Sequence, residues 1–180
     1  MPDMENYFAP IPPSKTWKYA KREQELRFLL PAPPDDLEQF PCKSIHDLYL
    51  NGSRMRLRKT ISEHQTIFKL SKKIPLPEPN SQWISTIYLS EAEYNLFSIL
   101  PGDQLRKKRF SLKRDEGMDM GVDEIVIGTE KMWILEIEYD DANMDNLPPP
   151  FPGAISLHDK VEYAGHLLAK RYQQRMNQIK

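Results

Sequence analysis

Apolar and polar residues alternate along several short runs of this chain, and in those runs the polar positions are charged. Charge falls on alternate residues in Glu23-Gln24-Glu25-Leu26-Arg27-Phe28; Arg54-Met55-Arg56-Leu57-Arg58 repeats the pattern with positive charge alone, and Leu135-Glu136-Ile137-Glu138-Tyr139 with negative charge alone. Strand side chains alternate faces with period two, so each run gathers its charge on one side. The pattern predicts strands over residues 22–30, 44–50, 55–61, 66–73, 82–89, 106–113, 122–127 and 131–139. Asn51-Gly52 reads as a two-residue hairpin turn, and Gly117, Gly121 and Gly128 as punctuation between later strands.

Helical signals are fewer. Ser90-Glu91-Ala92-Glu93 has the capping-box pattern, with Tyr94, Phe97 and Leu100 at helical spacing before Pro101-Gly102. Residues 35–40 predict one helical turn, and residues 156–159 cap a final helix bearing Val161, Leu167, Leu168 and Tyr172. Prolines break the stretches at 1–14, 31–34, 75–79 and 146–153. About eight short strands and few helices predict an α+β fold, mainly β: an eight-stranded antiparallel sheet closed or nearly closed into a β-barrel whose lumen would collect the charged faces, with a few flanking helices. Residues 1–20 are expected to form an N-terminal arm, mobile or docked, and residues 21–180 a single domain.

Composition narrows the function classes. The 180 residues carry 25 basic and 26 acidic side chains, a net charge of −1, so no global field recruits nucleic acid or an anionic membrane. The single cysteine, Cys42, excludes an intramolecular disulfide, and no Cys/His cluster has zinc spacing. The first twenty residues lack the apolar core of a signal peptide or membrane span, and the expectation is a soluble, cytoplasmic protein. The four histidines are scattered, the tryptophans fit an apolar layer, and no Walker loop, Rossmann fingerprint or Gly-x-Ser-x-Gly elbow occurs.

The ordinary reading of one alternating strand is a half-buried sheet with its polar side in water. Here, however, one run stacks three arginines and another offers only glutamates. Like charges at i and i+2 repel, so such faces need opposite charge or a ligand across from them, which a shared lumen supplies. Its basic side would contain Arg27, Arg56, Arg58, Lys69, Lys73, Lys107 and Arg109. Arginine forks grip phosphate oxygens bidentately, and lysines act as point charges. Its acidic side would contain Glu23, Glu25, Glu136 and Glu138, with Asp123 a further candidate for which a turn role is equally open. Mg2+ or Mn2+ takes oxygen ligands and retains waters, so glutamate pairs and ligand phosphates could share one ion. Such convergence on one cavity makes inorganic polyphosphate or another polyphosphorylated ligand the expected partner. No aromatic platform accompanies the Arg54–Arg58 run, so a nucleic acid polymer is not expected.

These residues, in order, resemble the CYTH superfamily, the triphosphate tunnel metalloenzymes. Glu23-Gln24-Glu25-Leu26-Arg27 is similar to the family's opening Glu-x-Glu-x-Lys signature, with arginine for the usual lysine. Tyr49-Leu50 with Arg56-Leu57-Arg58 resembles its second region, Lys107-Lys108-Arg109-Phe110 its Lys-x-Arg-aromatic strand, and Leu135-Glu136-Ile137-Glu138-Tyr139 its late Glu-x-Glu strand. Leu147-Pro148-Pro149-Pro150-Phe151, leading into a tyrosine-bearing helix, is also similar.

The resemblance implies a divalent-metal-dependent triphosphatase, hydrolysing inorganic tripolyphosphate or a small organic triphosphate. Glu23, Glu25, Glu136 and Glu138 would hold metal, Arg27, Arg56, Arg58, Lys73, Lys107 and Arg109 would grip phosphates, and Lys107 would help activate the attacking water. The chain departs from the tripolyphosphatase pattern at Ile84-Ser85-Thr86-Ile87, where another Glu-x-Glu pair is common, and at Glu162-Tyr163-Ala164-Gly165, where Arg-Tyr-x-Asn is common. The first departure removes carboxylates that a second metal would use. A non-catalytic binding module for a polyphosphorylated ligand and class IV adenylate cyclase-like nucleotide cyclisation are the alternatives on the same scaffold.

Overall fold

The alternating runs become a closed wall in the computed structural model, which describes residues 18–112, 118–139 and 151–178. Most of the expected N-terminal arm, Trp17, Gly117 and most of the 146–153 loop lie outside the described residues. The strands are β1 (Lys21–Leu30), β2 (Cys42–Leu50), β3 (Met55–Ile61), β4 (Thr66–Pro75), β5 (Ser81–Leu89), β6 (Gly102–Ser111), β7 (Met118–Ile127), β8 (Glu130–Tyr139) and a short β9 (Ile155–Ser156). Hydrogen bonding runs β5-β4-β3-β2-β6-β7-β8-β1, and β5 then pairs with β1, closing an eight-stranded antiparallel barrel. Closure removes the unpaired edges that an open sheet would expose. β9 is an addition at Phe28 and Leu29, outside the ring.

The helices are α1 (Glu91–Ser98) and α2 (Gly165–Gln178). α1 starts as its sequence predicts: the Ser90 hydroxyl accepts from Glu93 N–H, and the Glu93 carboxylate accepts from Ser90 N–H. Tyr94 and Phe97 then pack over Leu48, Leu57 and Leu70 on the outer wall. A second apolar layer covers the outside of β1, β6, β7 and β8, with Phe28, Phe110, Val122, Leu135 and Ile137 beneath Leu37 and Phe40. The third apolar cluster lies inside. Leu105, Ile125, Ile134 and Met132 share the lumen face of their strands and pack with Leu168 and Ala169 of α2, which plugs that end of the barrel.

Local readings differ in several places. Residues 51–54 form a longer loop in place of the expected two-residue turn, with Gly52 at φ 65° and Ser53 N–H donating to Leu50 C=O. The two-residue hairpin is instead Gly128-Thr129, where Ile127 pairs with Glu130 and Gly128 takes φ 63°. Gly121 lies within β7 and does not interrupt it; a Cβ there would stand 3.3 Å from Arg109 Cδ. The last helix begins at Gly165, after a 3-10 turn at Val161–Tyr163, so Val161 is exposed and takes no part in the plug. The turn expected at 35–40 is a short 3-10 helix, Leu37–Gln39.

Gly165 lets α2 enter the barrel, because a Cβ there would collide with the Tyr49 hydroxyl. Gly165→Ala should therefore lower the thermal midpoint by about 2–10 °C through overpacking, and adding Tyr49→Phe should restore part of the loss. Thermal melting of the single and double variants checks this.

Candidate functional site: an ion-paired lumen

Strand register puts Glu23, Glu25, Arg27 and Leu29 of β1 on one face and Leu26, Phe28 and Leu30 on the other. The charged face is the interior one. Its side chains touch across intervening strands, as only a concave surface allows: Arg109 of β6 reaches Glu136 of β8 past β7, and Lys73 of β4 reaches Glu23 of β1 past β5. The lumen thus has an apolar plug, a charged middle, and a mouth at the opposite end.

In the middle, Arg109 binds Asp123 with two parallel N–H donors, both at 2.6 Å, and also contacts Glu136. Lys107 contacts Asp123 and lies 3.7 Å from Glu136. Gly121 leaves the space that Arg109 occupies. Glu23 accepts from Lys73 and Gln82, each at 2.5 Å. Arg27 Nε lies 3.6 Å from Glu25 and 3.5 Å from Glu136, while its Nη1 donates to the Tyr163 carbonyl at 2.9 Å and ties the wall to the plug. Glu138 sits nearer the mouth, 3.2 Å from Lys21.

Sequence reading missed the anchor of the arginine strand. Asp47 is fully buried and receives Arg58 through two bonds of 2.6 and 2.8 Å, with Arg56 Nε at 3.8 Å. The available signal was the register itself, since a strand of arginines requires opposite charge beside it. Lys43 and Tyr49 were also missed. Both share the Asp47 face of β2: Lys43 stands at the mouth opposite Arg109, and Tyr49 at the plug. Lys69 faces the lumen as expected, but near the mouth beside Tyr88.

Protonation follows this geometry. Burial would raise the Asp47 carboxyl, yet Arg58 and Arg56 overcome it and hold it well below the usual carboxylate range. Glu136 behaves likewise, with Arg109, Lys107 and Arg27 overcoming burial. Glu25 is pushed up, by burial first and then by the negative charge of Glu136. Lys107 is pushed down by burial and by Arg109, against the pull of Asp123 and Glu136. Lys43 is lowered by burial and by Arg109, Arg58 and Lys69.

Two donors, Arg27 Nε and Arg56 Nε, are buried without a hydrogen-bond acceptor among the described residues. Each has a carboxylate within ion-pair distance but none in hydrogen-bonding geometry, and an anion entering the lumen would supply that acceptor. Among the described residues no three His, Cys, Asp or Glu side chains are gathered as a metal cage. Glu25 and Glu136 nevertheless form a mutually repelling carboxylate pair, a donor set that suits a hard cation completed by phosphate oxygens and water. On the β5 wall, where a further glutamate pair is absent, the Thr86 hydroxyl bonds Ser71 at 2.9 Å.

No protein-family model and no curated protein sequence matches the chain. Solved structures do. Two crystal structures of NE1496, one described as a hypothetical protein and the other as an inorganic triphosphatase, give TM-scores of 0.52 and 0.51 at 18% identity. Each covers 82% of this chain, and the matches span 96% and 93% of their own. The PH1819 protein from Pyrococcus horikoshii OT3 gives a TM-score of 0.49 at 19% identity over 68% of this chain and 81% of its own. The likeness to the two NE1496 structures is one of fold. No helix among the described residues is long and apolar enough to cross a membrane.

Asp47 ties this network to stability. Its depressed folded-state pKa contributes stability fully present above its unfolded value of about 4, and lost as pH falls below that. Asp47→Asn should cost about 3–5 kcal/mol at pH 7 by stranding Arg58 and Arg56, with the difference from the parent shrinking toward pH 3. Urea unfolding at both pH values measures it.

Proposed function

We propose that the protein is a divalent-metal-dependent triphosphatase acting on inorganic tripolyphosphate or a small organic triphosphate. The observation that carries this reading is a pair of buried donors, Arg27 Nε and Arg56 Nε, that find no hydrogen-bond acceptor among the described residues of an ion-paired lumen. Phosphate oxygens entering there would accept from Arg27 and Arg56 and compete with Asp47, Asp123 and Glu23 for Arg58, Arg109 and Lys73. Displaced carboxylates would then be free for a cation.

Glu25 and Glu136 would hold Mg2+ or Mn2+, with Glu23, Glu138 and Asp123 as neighbouring oxygen donors. When bound, the ion supplies Lewis-acid neutralisation of phosphate charge. The chain's own residues do the rest. The arginines orient the terminal phosphoryl group and stabilise charge spreading over its oxygens. Lys107, lowered by burial and by Arg109, would in its neutral form take a proton from the water whose oxygen bonds to the terminal phosphorus. The bridging P–O bond breaks and diphosphate leaves. In this reading the protein works in the cytoplasm and binds neither nucleic acid polymer nor membrane.

A second reading, a binding module without turnover, is favoured by the Ile84 and Thr86 positions on the β5 wall, which offer no carboxylate to a second metal. Incubation with tripolyphosphate and Mg2+ or Mn2+ separates the two. The enzyme should release orthophosphate, with Glu136→Gln lowering the rate at least a hundredfold; tight binding without product selects the module, and absence of both overturns the tunnel reading. Arg56→Ala should weaken tripolyphosphate binding about 10- to 100-fold, read by calorimetry.

A further inference from the structure

Whatever is attached to the phosphates must leave the lumen by the mouth, because α2, Leu105, Ile125 and Ile134 close the other end. Antiparallel alternation identifies the strand ends there. Tyr49, the next-to-last residue of β2, lies at the plug, so β3 ends, β4 starts and β5 ends at the mouth. Tyr88 is the next-to-last residue of β5 and lies on the lumen face directly opposite Lys69. Although it belongs to that interior face, its side chain is 70% exposed.

Lys69 Nζ lies 4.9 Å from the Tyr88 ring centroid. A cation over one ring face holds the ring in place and leaves the rest of its surface for a partner. An exposed aromatic adds nothing to the grip on phosphate. It does suit a flat, apolar-faced group, and the wall below it, Thr86 and Ile84, sets no charge against such a group. Lys43, on the neighbouring stretch of rim, feels both Lys69 and Arg109, so phosphates would be drawn inward past this point.

We propose that Tyr88, seated by Lys69, is a stacking subsite for an aromatic heterocycle carried by an organic triphosphate. The inference rests on the tunnel binding triphosphate, and it names the substrate class as nucleoside-triphosphate-like. The test is calorimetric binding of ATP and, separately, of inorganic tripolyphosphate, each with Mg2+, to the parent, Tyr88→Ala and Tyr88→Phe.

Base–aromatic stacking of ordinary strength predicts about tenfold weaker ATP binding by Tyr88→Ala and retention by Tyr88→Phe. Tripolyphosphate, which has no ring to stack, should change less than twofold. Equal weakening of both ligands, no change in either, or a parent that binds tripolyphosphate but not ATP would overturn the subsite and leave the phosphate tunnel standing. A parent that binds neither overturns both.

Discussion

Opposite charge brought within reach of every strand that carries charge inward is the condition on which this barrel depends. The arginines of β3 would repel one another unaided; Asp47 on β2 stands between them. Glu136 would be unstable so deep in the wall without Arg109, Lys107 and Arg27 around it. Desolvating each ion costs several kcal/mol, and the mutual pairing offsets that cost. Glu25 is the imperfectly matched member, raised by burial and by Glu136, and the imbalance falls where a cation would correct it.

Filling the interior with ions displaces the apolar core. Two of its three clusters lie on the outer wall, one beneath α1 and one beneath the segment carrying Leu37 and Phe40. The third is the plug. Apolar residues on both sides of the same strands therefore stabilise the fold, while the middle of the barrel is left to the ion pairs. This division explains why β1 and β8 alternate so strictly: Leu26 and Ile137 face the outer layer while Arg27 and Glu136 face inward.

Much of this was legible because period-two alternation is a local property. The charged runs of β1, β3 and β8 show their lumen face in the residues themselves, and the Ser90–Glu93 capping box fixes the start of α1. The missed residues are those whose role comes from a neighbour. Asp47 sits among Ile45, His46, Leu48 and Tyr49 and reads as one acid in an apolar strand until register sets it against Arg58. Tyr88 becomes informative only when the strand order places it at the mouth. Turn lengths were misread because Asn51-Gly52 is compatible with both a tight hairpin and the longer loop that Ser53 closes. Val161 had helical spacing, but it lies in a separate 3-10 turn that Ala164, in extended conformation, divides from the helix.

The ladder between β1 and β5 spans four residue pairs, against seven between β1 and β8. That short ladder is the seam of the cylinder, and across it Glu23 is held by Lys73 and Gln82. An anion that drew Lys73 away from Glu23 would loosen the same stitch, so occupancy of the interior and integrity of the wall are mechanically linked.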